Sequence, residues 1–300
     1  MAGQLPITTG VWRARDGREL PFKAWAGPSE TVRCVLLLVH GLNGSMDDFE
    51  PLVEALGGVG VACFAAGLRG QGADPWLKAR GDLRCWAHLR DDLLDFATWV
   101  TEHLHPTVPM FVFGESMGAL VTLQAAVLRP FAGVILSSPV VKLRHEIRFS
   151  RWQQLGVRAL FRFAPWLRLD LRSFGNNGSP DPVVTRDQRY LERIRNAPYR
   201  IPRFTIGFYR ELIALVQVTA EAAQKLDVPV LVLAAGKDVF VSAEDVAAFY
   251  GVLPAGDKTL RTYPESYHLL VRDWGAERVI ADVQAWLEAR AGDAEPRKHS

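Results

Sequence analysis

Long apolar runs are missing from this 300-residue sequence. The longest, such as Val35 to Val39, fall far short of the roughly 20 residues a membrane-spanning helix needs. Met1 to Gly10 has no basic segment followed by an apolar one, so no secretory signal is expected. Cysteine is scarce: Cys34, Cys63 and Cys85 are the only three. An odd number, two of them inside apolar runs, speaks against a disulfide framework and for reduced thiols in a cytoplasmic protein. A dominant charge is lacking too, since 35 Lys/Arg stand against 33 Asp/Glu for a net +2. Nothing in that balance calls for a nucleic-acid partner. Internal repeats and low-complexity tracts are absent. His40 has no second histidine or carboxylate at ligand spacing, so no metal is expected.

Short β-rich runs separated by helical patterns are what the sequence does contain. Asp16-Gly17 between two strand-like runs in Val11 to Trp25 is a hairpin signal. Cys34–Val39, 59–66, 110–113, 133–136 and 230–234 read as strands covered on both faces, with a weaker one at 259–263. Helical patterns run over 47–56, 82–104, 117–128, 243–253 and 276–291. Pro106 and Pro130 stand beyond the ends of two of them. This alternation predicts an α/β fold, a mostly parallel sheet with helices on both faces. The polar end, 292–300, is expected to be a disordered tail.

One stretch breaks the alternation. From Val140 to Val228 the pattern is helical, with no clear strand. It holds 16 Lys/Arg against 8 Asp/Glu, a net +8 that leaves the rest of the chain at −6. We read residues 140–227 as a helical cap inserted into a core formed by 1–139 and 228–291. Arginines at 144, 148, 151, 158 and 162 project onto one narrow helical stripe that Pro165 ends. That stripe is read either as a solvated edge or as an interfacial lid meeting anionic lipid. The second reading leaves a peripheral membrane position open to a cytoplasmic protein. Phe204, Phe208, Tyr209, Leu212, Ile213 and Leu215 are read either as acyl-pocket lining or as packing.

Gly114-Glu115-Ser116-Met117-Gly118 follows a strand and opens an apolar helix, the context a nucleophile elbow requires. The chain must turn sharply there, which excludes a Cβ at the flanking positions. The helix start behind Ser116 aims free N–H groups at developing negative charge. A serine nucleophile needs a base, and the base needs a carboxylate. Asp238 follows the run 230–234, and His268 follows the last strand, both past C-terminal strand ends. Asp227 and Asp257 precede their strands, and Asp245 lies inside a helix. The surface reading suits His88, His103, His105, His145 and His299. The tetrahedral intermediate needs two N–H donors. One is Met117, and the other belongs to the loop His40-Gly41-Leu42-Asn43-Gly44.

The ordered set His40-Gly41-Leu42, Leu68-Arg69-Gly70-Gln71-Gly72, the elbow, Gly236-Lys237-Asp238-Val239-Phe240-Val241 and Tyr267-His268-Leu269-Leu270 resembles the α/β-hydrolases. More narrowly, it resembles the monoacylglycerol lipase and lysophospholipase group of serine aminopeptidase S33 type. The resemblance runs from about Val32 to the last helix. It implies Ser116, Asp238 and His268 as a triad, Leu42 and Met117 as oxyanion donors, and a small hydrophobic ester such as a monoacyl lipid as substrate. It implies no cofactor. The sequence departs from the group at Gln71 (usually His), Gly67 (commonly Asp) and Ala119 (often Gly). Thioesterase, amidase, iminopeptidase or acyltransferase chemistry on the same triad stays open, as does a non-catalytic binding role.

Overall fold

The computed structural model describes residues 6–26, 32–104, 107–142, 151–170 and 182–292. At its edge, β1 (Ile7–Arg13) and β2 (Glu19–Trp25) form the expected antiparallel hairpin. Gly17 turns it with a φ of 80°, and the Asp16 carboxylate accepts the Arg18 N–H at 3.1 Å. The apolar runs become β3 (Cys34–Val39), β4 (Val61–Ala66), β5 (Met110–Glu115) and β6 (Gly133–Ser137), every residue buried. A two-residue pair, β7 (Arg168–Leu169) and β8 (Phe204–Thr205), stands apart. β9 (Val230–Ala235) and β10 (Lys258–Tyr263) finish the main sheet. Its order is β1-β2-β4-β3-β5-β6-β9-β10. β2 is antiparallel to both neighbours and all other pairs are parallel.

Alternate side chains along each strand serve two apolar layers. Val35, Leu37 and Val39 pack with α2 (Ala87–His103) and α3 (Met117–Leu128). Leu36 and Leu38 pack with α1 (Glu50–Leu56) and with Val283 and Trp286 near the chain's end. Both faces being covered is why these strands read as unbroken hydrophobic runs.

The second helix begins at Ala87, not at Asp82 as its sequence pattern predicts. The residues before it are taken up by long-range bonds. Asp82 accepts the Thr205 hydroxyl at 2.7 Å, and Glu211 accepts the Trp86 N–H at 3.1 Å.

Between β6 and β9 lie α4 (Arg151–Phe163), α5 (Gln188–Arg195) and α6 (Ile206–Ala223). The β7–β8 pair is a correction to the expected absence of strands; two residues are too few for any periodic signal. Phe204, Phe208 and Leu215 are buried in the same apolar layer as α2 and α3, so these three are packing residues. Tyr209 and Leu212 pack half-buried against that layer, and Ile213 is exposed. On α4 and just after it, Leu155, Leu160, Phe163, Trp166 and Leu167 are exposed, as are Arg158 and Arg162. Arg144, Arg148 and residues 293–300 of the expected tail lie outside the described residues, and so does the Arg151 side chain. The chain closes with α7 (Ala243–Val252) and α8 (Ala276–Ala291). Among the described residues no helix is long and apolar enough to cross a membrane.

Candidate active site

Parallel register aligns the C-terminal ends of five strands, β3, β5, β6, β9 and β10. Val39 pairs with Gly114, Glu115 with Ser137, Ser137 with Leu233, and Ala235 with Tyr263. Every loop that leaves those ends therefore emerges on one edge of the sheet. The sequence-predicted residues 40–44, 116, 238 and 268 all sit on such loops.

Ser116 caps the start of α3 with φ 57° and ψ −119°. For a residue with a side chain this is a strained conformation, of the kind concentrated at functional sites. Its surroundings enforce it. The Ser116 N–H donates to the Ser137 carbonyl at 2.9 Å. A Cβ on Gly118 would lie 2.1 Å from the Val39 carbonyl oxygen, so that helix turn packs directly on the β3 end. The 40–44 loop approaches equally closely, since a Cβ on Gly41 would stand 2.9 Å from Ser116 Cβ and 3.4 Å from its Oγ. Neither the Leu42 nor the Met117 N–H has an acceptor among the described residues.

His268 and Asp238 are brought together. His268 Nδ1 donates to Asp238 Oδ2 at 2.6 Å, with both side chains buried. The other carboxylate oxygen accepts the Phe240 and Val241 N–H groups at 2.8 and 3.3 Å. The Phe240 ring meets the imidazole edge-on at 4.8 Å between centroids. The loops carrying the two residues interlock: Gly236 and Lys237 N–H donate to the Tyr263 and Ser266 carbonyls, each at 2.9 Å. Among the described residues the Ser116 hydroxyl makes no hydrogen bond to His268.

Two residues that sequence reasoning missed complete the frame. Ser138 has a φ of 43°. Its N–H donates to Leu233 O at 2.9 Å, and its hydroxyl donates to the His268 carbonyl at 2.8 Å. Its place just past a strand's C-terminal end was the available signal. Asp273 accepts the Tyr267 N–H at 2.8 Å. It also accepts the Arg186 N–H at 2.8 Å and that residue's guanidinium at 3.1 Å. Burial works to raise the Asp273 carboxyl, but the Arg186, Tyr267 and Trp274 donors hold it below the usual carboxylate range. Nothing local in the sequence marks Asp273, whose charged partner Arg186 comes from a segment 87 positions away.

His40 is structural here. Nδ1 bonds the Gly41 carbonyl at 2.9 Å and Nε2 accepts the Leu68 N–H at 3.4 Å. A carbonyl can only accept and an N–H can only donate, so the proton sits on Nδ1. Burial pushes its pKa down and keeps the ring neutral. The departure at Gly67 also has a steric reason. A Cβ there would meet Pro21 Cγ at 2.8 Å and Ala73 Cβ at 3.2 Å, leaving no room for aspartate.

A mostly parallel sheet with a strained serine at a strand–helix elbow and a buried His–Asp pair on neighbouring loops defines an α/β-hydrolase. The chain belongs to the family described as serine aminopeptidase, S33, which matches residues 30–274. It falls within the monoacylglycerol lipase and lysophospholipase group of these carboxylic ester hydrolases. It is 25% identical to a phospholipase (YtpA) of Bacillus subtilis over 270 residues, 88% of this chain and 98% of the other. It is 26% identical to human monoglyceride lipase over 296 residues, 94% of this chain and 91% of the other. In structure it is similar to a soluble variant of Saccharomyces cerevisiae monoglyceride lipase in complex with a substrate analog. That likeness has a TM-score of 0.79 and 22% identity, and covers 96% of each chain.

Proposed function

We propose that this protein hydrolyses carboxylic esters with a single hydrophobic acyl chain, through an acyl-Ser116 intermediate. The observation that carries the reading is the positive-φ elbow of Ser116 beside the buried His268–Asp238 pair, with strand register putting both on one sheet edge. Ser116 Oγ attacks the ester carbonyl carbon while His268 Nε2 takes its proton. Asp238 holds the imidazole with the proton on Nδ1 and stabilises the imidazolium. The carbonyl oxygen becomes an oxyanion that accepts the Leu42 and Met117 N–H groups. The C–O bond to the alcohol then breaks, and the alcohol leaves with the proton from Nε2. Water attacks the acyl carbon as Nε2 takes its proton. The acid is released and Ser116 Oγ is reprotonated. The names of the similar proteins, lipases and esterases, support an ester over the thioester, amide and transferase alternatives.

The insertion between β6 and β9 serves in this reading as a cap over the sheet edge. Phe163 and Trp166 are each 72% exposed, with Leu155, Leu160 and Leu167 also at the surface and Arg158 and Arg162 among them. Apolar side chains set among arginines suit peripheral contact with anionic lipid. Sedimentation with neutral and anionic vesicles tests it, and equal recovery with both removes this part of the proposal.

For the catalytic reading the test is a fluorophosphonate probe read by intact mass, on the wild type and on Ser116→Ala. Labelling of the wild type alone, with loss of p-nitrophenyl ester hydrolysis in the variant, is expected. Hydrolysis that survives Ser116→Ala overturns the mechanism. Thioester, anilide and monoacylglycerol substrates then rank the leaving groups.

A further inference from the structure

Among the described residues, three non-glycine residues have positive φ: Ser116, Ser138 and Asn43. The first two frame the site. Asn43, at φ 59°, follows Leu42 directly. Gly44 N–H bonds Gly41 O at 3.2 Å, so 41–44 is a β-turn. Positive φ at its third residue alone is the type II pattern, in which glycine is the favoured residue and asparagine the usual substitute. The central peptide of such a turn can flip. Here it is pinned, because the Asn43 N–H donates to Oε1 of the fully buried Gln71 at 2.8 Å.

The Asn43 side chain reaches away from the turn. Its Oδ1 accepts the Ile201 N–H at 2.9 Å, and its Nδ2 donates to the Ile201 carbonyl at 3.1 Å. One side chain thus satisfies both polar groups of a buried residue in the insertion, 158 positions away. The same stretch is pressed against the neighbouring turn. A Cβ on Gly72 would lie 2.0 Å from Tyr199 O, and Ser45 Oγ lies 3.4 Å from the Tyr199 hydroxyl.

We infer that Asn43, held by Gln71, is a positioning residue through which the insertion sets the Leu42 N–H donor for the developing oxyanion. The inference rests on the proposed role of Leu42. An oxyanion donor contributes most when its direction is fixed before the reaction. Leu42 has the tight turn to Gly44 on one side and a double hydrogen bond to Ile201 immediately beyond. Movement of segment 199–201 is therefore transmitted to the donor.

The Asn43→Gly variant separates this from a plain turn role. Glycine relaxes the positive φ while deleting both bonds to Ile201, so a residue needed only for the turn would lose nothing. The expected result on a p-nitrophenyl ester is a kcat about tenfold lower with KM within twofold. The inhibition constant of an alkylboronic acid, which mimics the tetrahedral intermediate, should rise by the same factor. A kcat and a boronate constant within twofold of wild type overturn the inference, and so does a rise confined to KM. Asn43→Asp keeps the tolerance for positive φ and the acceptor for Ile201 N–H but places an acceptor against the Ile201 carbonyl. It carries the same readouts and expectation if the glycine variant does not fold. Ser116→Ala in parallel distinguishes the two failures. Activity that persists without Ser116 sinks the catalytic reading itself. Activity lost with Ser116 but unchanged in Asn43→Gly sinks only the positioning role.

Discussion

Replacing Glu115 with glutamine should stabilise the protein in a strictly pH-dependent way. Glu115 occupies the variable position of the elbow, immediately before Ser116, and is 1% exposed. Its Oε1 has no hydrogen-bond partner among the described residues. The charged and titratable groups facing it are Asp48, Tyr190 of α5, and Arg272. Burial first, and then the nearby Asp48 charge, push its pKa from 4.5 up to about 8, with Arg272 opposing. Below about pH 4.5 the carboxyl is neutral in both folded and unfolded chains and contributes no pH dependence. Between there and pH 8 the unfolded chain releases the proton while the fold retains it, so stability falls as pH rises. Above 8 the penalty is complete. At about 1.36 kcal/mol for each pH unit across that window, its ceiling is roughly 5 kcal/mol. Glu115→Gln keeps the shape and a neutral donor while removing the titration. Urea unfolding of both proteins should therefore give nearly coincident stabilities near pH 4.5 and a variant more stable by a few kcal/mol at pH 9. An equal difference at the two pH values would refute the reasoning, because it would mean that Glu115 does not stay protonated in the fold.

Other substitutions probe the frame. Gly236→Ala would put a Cβ 2.3 Å from the Pro264 carbonyl oxygen. It should lower stability by about 1–3 kcal/mol and kcat by more than tenfold, measured by thermal melts and ester kinetics, because it prises apart the loops of Asp238 and His268. Asp238→Asn should leave KM near wild type and cut kcat by roughly 10³–10⁴-fold, by removing the group that holds the imidazole tautomer. In a thiol titration of the native protein, Cys85 alone should react. Burial pushes the Cys34 thiol up to about 12 and the Cys63 thiol higher still, so both should appear only on unfolding.

Local order was legible along the chain. The runs that became β3, β5, β6 and β9 could be read directly, because strands buried on both faces must be apolar throughout. The elbow was legible for a related reason: glycine on either side of Ser116 answers to contacts with the strand and helix beside it. Past-the-strand positions marked Asp238 and His268, and the structure joins those two by a hydrogen bond. The start of α2 was misread because Asp82 and Trp86 find partners in Thr205 and Glu211, more than 100 positions away. The Phe204, Phe208 and Leu215 positions stayed ambiguous in sequence, since apolar lining and apolar packing have the same composition. Burial alone separates them.

By itself, then, the sequence determined the α/β alternation, the hairpin, the elbow and the residue types that acyl chemistry needs, because each is written in local periodicity or in steric demands on neighbouring residues. Only the tertiary structure decided that Ser138 holds the His268 carbonyl, that Asp273 binds the histidine loop to Arg186, that Asn43 grips Ile201, and that Glu115 is sealed beneath the serine. Those are bonds and burials between segments from 6 to about 160 residues apart. No periodicity encodes such distances; they exist only once the sheet has brought its C-terminal ends to one edge.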